Sequence, residues 1–144
     1  MHRDLPQREI LTELEPVAES CLNNHLRMSK PWQPHDYIPW GRGRNFAMLG
    51  GTDWDPAQST LSEVAKAAMI TNLLTDDNLP SYHREISQNF SPDGAWVGRW
   101  TAEEMRHSTV IRDYLVVTCG VDPVRLETAR MQHLSNGFTA GTCT

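Results

Sequence analysis

Trp100-Thr101-Ala102-Glu103-Glu104-Met105-Arg106-His107 stands inside residues 95–118, where apolar residues recur at helical intervals. At roughly 100° per residue, Trp100, Ile111 and Thr118 fall within about 40° of Glu104. Val97 and Leu115 fall about 20° to its other side, and His107 about 60° away, still within the stripe. Glu103, about 100° away, marks the edge, with Arg99 and Met105 further round. The spacing predicts a helix that turns Glu104 and His107 onto its apolar face. A carboxylate at the centre of such a face is costly to bury unless its charge is compensated. Residues three apart on a helix can reach one metal ion, which would supply that compensation. Glu-x-x-His also arises by chance on surface helices, so the motif needs a second element beside it.

The preceding helical segment provides one. It is predicted to start after Ser59 or Thr60 as N-cap, with Glu63 completing a capping box from Thr60, and to run to about Asn89 with an interruption at Pro80. Asp76 lies within about 20° of Ala65 and Met69 on its apolar face, whereas Asp77 points about 100° away. Pro80 frees the carbonyl of Asp76 and loosens the helix there. Two inward acidic residues on different helices, one paired with a histidine, make half of a carboxylate-bridged di-iron constellation.

Further out, residues 9–28 carry an apolar stripe of Leu11, Leu14, Ala18, Cys21, Leu22 and Leu26. Pro16 predicts a kink there or a start nearer Glu15. A fourth helix is expected to begin with Asp122 as cap and Pro123 at its first position, and to end before Gly137. Between the first two helices, Pro31, Pro34, Pro39, Gly41, Gly43 and Gly50-Gly51 exclude a long helix. With Trp32, Tyr37, Trp40 and Trp54 interspersed, this segment reads as an ordered aromatic loop, long enough to be functional itself. No hairpin, repeat or low-complexity signal competes. The reading is all-α, with about four helices and one long Pro/Gly/Trp-rich loop.

Composition narrows the function. A net charge of −5 leaves no basic stripe for phosphates, which argues against nucleic-acid binding. No uncharged apolar run reaches the roughly 18 residues of a membrane span. Met1-His2-Arg3-Asp4 lacks the apolar stretch of a secretory signal. Cys21, Cys119 and Cys143 are odd in number and widely spaced, which suits a reducing compartment, and the expected location is the cytoplasm.

Trp100-Thr101-Ala102-Glu103-Glu104-Met105-Arg106-His107 is similar to the Trp-Thr-Ala-Glu-Glu-Asn-Arg-His of acyl-acyl-carrier-protein desaturases. Thr75-Asp76-Asp77-Asn78-Leu79-Pro80-Ser81-Tyr82 is similar to their Thr-Glu-(Glu/Asp)-x-Leu-Pro-x-Tyr. Glu13-Leu14-Glu15-Pro16, His35-Asp36-Tyr37-Ile38-Pro39-Trp40, Asp53-Trp54-Asp55-Pro56 after Gly50-Gly51, and Asp113-Tyr114-Leu115-Val116-Val117-Thr118 resemble the actinobacterial branch. The matches follow the family order over most of the chain. The resemblance implies a ferritin-like bundle holding two Fe2+ ions, which uses oxygen and electrons from a ferredoxin-type donor to desaturate an acyl chain on acyl carrier protein. It implies Asp76 as a terminal carboxylate ligand, Glu104 as the bridging carboxylate and His107 as the imidazole ligand. Residues 1–144 would form the N-terminal portion of one such domain.

Several departures from the family pattern shape the expectation. The chain stops at Thr144, where the family continues to a second carboxylate and a second Glu-x-x-His. Three residues before His25, His35, His83 and His133 stand Leu22, Trp32, Pro80 and Arg130, so only His107 is preceded by an acid at that spacing. One chain is therefore expected to supply half a site. Asp76 is a methylene shorter than the family glutamate, and Met105 and Ser108 replace the Asn and Gly flanking Arg-His. About three residues fewer lie between Gly94-Ala95-Trp96 and Val97 than in relatives.

Two function classes follow. One is a desaturase of fatty-acid synthesis, present as a truncated or divergent chain. The alternative is a non-catalytic paralogue, a helical interaction module for a full-length desaturase or carrier protein. In either, Lys30, Arg42 and Arg44 around the loop could meet an acidic carrier. A symmetric homodimer would bring together four carboxylates and two histidines, a complete ligand set.

Overall fold

The computed structural model describes residues 7–89 and 95–136. Among these residues there is no strand. Five helices occur in the order α1 (Gln7–Met28), α2 (Glu63–Asp77), α3 (Leu79–Asn89), α4 (Ala95–Val117) and α5 (Pro123–Asn136). The extra helix comes from the expected second one, which divides at Asn78. There the N–H of Asn78 closes the last turn of α2 onto the carbonyls of Thr75 and Asp76. The division falls just before Pro80, which has no N–H to donate to the Asp76 carbonyl four residues back; Leu79 and Pro80 instead open α3, where the missing donor is not needed.

The start of α2 also differs from expectation. Ser62, not Ser59 or Thr60, is the N-cap, its Oγ accepting from the N–H of Ala65 at 3.2 Å. Ser59 is engaged elsewhere, donating to the carbonyl of Gly120 at 2.8 Å. The capping box forms earlier, between Asp55 and Gln58. α1 begins at Gln7 and continues through Pro16, so the later start is corrected. Pro16 forfeits one N–H, but its turn is exposed and solvent tolerates the loss. α5 starts as read, with Asp122 Oδ1 accepting from Val124 and Arg125 at 2.9 and 3.3 Å. Gly137 and Cys143 lie outside the described residues, as does Gly94 beside the three-residue difference.

α4 is the organising element, packed by α2, α3, α1 and the first loop turn, while α2 also packs on α5. The core lies where α2, α4 and α5 meet. Leu73 and Leu115 are fully buried there with Val121 and Leu126, and Met69, Ile70 and Ile111 pack around them. Val97 and Thr118, assigned to the apolar stripe of α4, are buried, whereas Met105 and Arg99 are exposed.

The loop between α1 and α2 is ordered by four short 3-10 turns, at Pro34–Tyr37, Trp40–Arg42, Ala47–Leu49 and Pro56–Gln58. The indole N–H of Trp54 donates to the carbonyl of Cys119 at 2.9 Å, tying the loop to the α4–α5 junction. Cys119 adopts a left-handed φ of 53°, an unusual conformation for a non-glycine residue. At Gly51, a Cβ would stand 1.7 Å from the carbonyl oxygen of Asn45, so this tight loop crossing admits only glycine.

Candidate metal centre

α2 and α4 lie side by side, and their facing positions bring Asp76, Glu104 and His107 together. One ligand atom from each lies within 4.8 Å of the others. The helical i,i+3 offset puts His107 Nδ1 3.0 Å from Glu104 Oε2. Asp76 and Glu104 are partly buried and His107 is more exposed, so the triad opens on one side. Burial pushes the Asp76 carboxyl above its usual range; the Glu104 charge adds to the rise, His107 opposes it, and Asp77 adds a little. A Glu104 carboxylate that disfavours ionisation of Asp76 is an arrangement that a cation relieves. Two carboxylates and one imidazole are suitable donors for iron. The residues present fit one half of a di-iron carboxylate site.

The neighbours of His107 come from the aromatic loop. Trp32 stacks on the imidazole with ring centroids 5.8 Å apart and planes 13° from parallel. Arg106 holds Trp32 twice, donating from Nη1 to its carbonyl at 3.1 Å and lying 4.9 Å from its ring centre. Tyr37 meets Trp32 edge-on at 5.8 Å. Reading the sequence identified the loop but not this contact, because 74 residues separate Trp32 from Arg106 and no local period spans them.

Glu103 faces away from the triad, as its edge position requires. His25 of α1 donates from Nε2 to the Glu103 carboxylate, 3.1 and 2.9 Å from its two oxygens, and Arg99 and Arg106 also pair with it. The His25 hydrogen bond, followed by the Arg99 contact, holds Glu103 below the usual carboxylate range.

Asp77 points off the shared face, as its angle predicts. There it is buried. α2 has a second partner in α5, and Arg130 there donates from Nε and Nη2 to the two Asp77 oxygens at 2.5 and 3.0 Å. The Asp77 hydrogen bond raises the Arg130 pKa further above its usual value.

The loop cations do not share one environment. Arg44 lies inside the loop, donating to Thr52 Oγ1, the carbonyl of Asp53 and Gln58 Oε1 at 2.7, 3.1 and 2.7 Å, with its guanidinium 5.1 Å from the Phe46 ring centre. Lys30 and Arg42 are exposed. No described helix is long and apolar enough to cross a membrane.

Comparison with known proteins places the chain in a family. The fatty acid desaturase family profile matches residues 6–144. The provisionally named acyl-[acyl-carrier-protein] desaturase DesA1 of Mycobacterium tuberculosis is 59% identical over 98% of this chain and 43% of its own length. Its counterpart DesA2 is 48% identical over 94% of this chain and 50% of its own length. A chloroplastic stearoyl-[acyl-carrier-protein] 9-desaturase of Oryza sativa is 28% identical over 94% of this chain and 37% of its own length. The X-ray structure of M. tuberculosis DesA2 superposes with a TM-score of 0.64 at 43% identity, over 85% of this chain and 46% of that one. The chain thus spans about half the length of the curated relatives it matches. Its five helices are part of the ferritin-like helical fold of these proteins. With profile, sequence and helical arrangement in agreement, the chain belongs to the acyl-acyl-carrier-protein desaturase branch of the fatty acid desaturase family.

Proposed function

We propose that this chain supplies one half of a di-iron site that desaturates an acyl group carried on acyl carrier protein. The convergence of Asp76, Glu104 and His107 within 4.8 Å, between two helices of a desaturase-family chain, is the observation that carries the reading. Asp76 and Glu104 would hold the iron through their carboxylates, in the terminal and bridging roles the family resemblance implies, and His107 would hold it through its imidazole. When bound, the iron pair supplies oxygen activation, with two electrons from a ferredoxin-type donor and two protons completing the conversion of dioxygen and two substrate hydrogens to water. The protein's part is to hold these donors ready. Trp32, clamped by Arg106, fixes the plane of His107, and the pairing of Glu103 with His25 keeps α1 against the helix that bears Glu104.

The complementary ligands come from outside this copy of the chain, from a partner copy or from further desaturase polypeptide. Lys30 and Arg42, exposed on the loop, are the cations available to an acidic carrier. The assembly acts in the cytoplasm. Anaerobic loading with ferrous ion, followed by elemental analysis and measurement of mass in solution, tests the reading. About one iron per chain in a dimer, lost in Glu104→Ala and His107→Ala, is the expected result for a site shared between two copies. A folded protein that retains no iron would overturn the reading for this chain on its own.

A further inference from the structure

We propose that Asp77 and Arg130 are positioning residues for the candidate ligand Asp76, holding the last turn of α2 at the angle the metal site requires. This inference rests on the metal-site reading above.

Asp76 occupies a weak part of its helix. α2 ends at Asp77, and the last carbonyls of any helix lack intrahelical donors. Pro80, four residues beyond Asp76, has no N–H to offer its carbonyl. The N–H of Asn78 closes that turn, shared between the carbonyls of Thr75 and Asp76. The backbone alone therefore does not fix the direction of the Asp76 side chain.

Tertiary contact compensates. Asp77, Asn78 and Leu79 are all buried, and the Asp77–Arg130 pair has side-chain exposures of 5% and 15%. The two contacts form a fork, which fixes the orientation of the carboxylate plane as well as its distance. The pair lies one helical turn beyond Leu73 on α2 and Leu126 on α5, so it extends their apolar layer with a directional one. A buried ion pair adds little net stability over an apolar pair of similar size, because both charges lose their hydration. Its distinguishing property is direction. A carboxylate oxygen stands roughly 6 Å from the helix axis, so a 10° twist of the last turn moves it by about 1 Å. Metal–ligand distances tolerate only about 0.2 Å. Releasing Asp77 from Arg130 thus misplaces Asp76 without unfolding α2.

Cobalt(II), read by its visible absorption band, is the probe for the full chain, with the thermal midpoint of the metal-free protein measured in parallel. Arg130→Met is expected to weaken Co(II) binding by about tenfold or more and to change the band. Asp77→Leu/Arg130→Met is expected to recover the midpoint while binding stays weak. Arg130→Lys, which keeps the charge but loses the fork, is expected to keep the midpoint and still bind several-fold more weakly. A double variant with both midpoint and affinity restored, or Arg130→Lys with wild-type affinity and band, would overturn the proposal by reducing the pair to a structural contact. If the wild-type chain binds no Co(II), or Glu104→Ala binds it equally well, the metal-site reading itself fails and this inference with it. That outcome is identified without any Arg130 variant.

Discussion

Replacing Asp76 by asparagine should make the metal-free protein more stable and the metal-exposed protein less so. Asp76 and Glu104 offer oxygens within 4.8 Å of each other. Two unit charges at that separation repel by about 3.5 kcal/mol at an effective dielectric of ~20. His107 opposes this, and partial exposure screens it, leaving a net penalty of about 1 kcal/mol. For a chain of this size that is about 3 °C in the melting midpoint. The sign with pH follows from the raised Asp76 pKa. The folded state holds the proton above the ordinary value of 3.8, so stability falls as pH rises through the window above it. The advantage of asparagine should be full at neutral pH and vanish near pH 3.8. Metal reverses the order. At one hundred times its dissociation constant, an ion bound only to the folded state stabilises it by about 2.7 kcal/mol, or roughly 8 °C. Wild type should gain that increment and Asp76→Asn almost none, so the two melting curves should exchange places. The assay is differential scanning fluorimetry with and without anaerobic ferrous ion, at neutral and acid pH. A variant that melts below wild type without metal, or gains as much from metal, would refute the reasoning.

Two other perturbations test the frame around the site. Leu115→Ala empties a fully buried position between α2, α4 and α5, and should cost about 3 kcal/mol, lowering the thermal midpoint by about 10 °C in a circular-dichroism melt. A change below about 1 kcal/mol would mean that this layer is not packed as described. Glu103→Gln should flatten the acid limb of the stability curve. The depressed Glu103 pKa contributes stability that is present above its ordinary value of 4.5 and lost as pH falls below it, so urea unfolding across that range should separate variant from wild type.

The helices and the shared face of Glu104 and His107 on α4 were legible in the sequence because local periods encode them. The i,i+3 offset of Glu104 and His107 and the apolar residues around them require only that residues 95–118 be helical, as α4 is. The Asp122-Pro123 start of α5 is likewise a matter of adjacent residues. The N-cap of α2 was not legible. Ser59 and Thr60 were the expected caps, yet Ser62 takes the role while Ser59 bonds Gly120, 61 residues away. Helical angle gave Asp76 its side of α2, but the meaning of the opposite side depended on a second neighbour that angle cannot reveal. Sequence alone determined which side chains share a helix face, since that follows from 3.6 residues per turn. Tertiary structure decided what each face meets: α5 against Asp77, Trp32 against His107, and α1 against Glu103. The physical reason is that such contacts depend on how separate helices and a long loop pack together, and no local repeat in the chain records that packing.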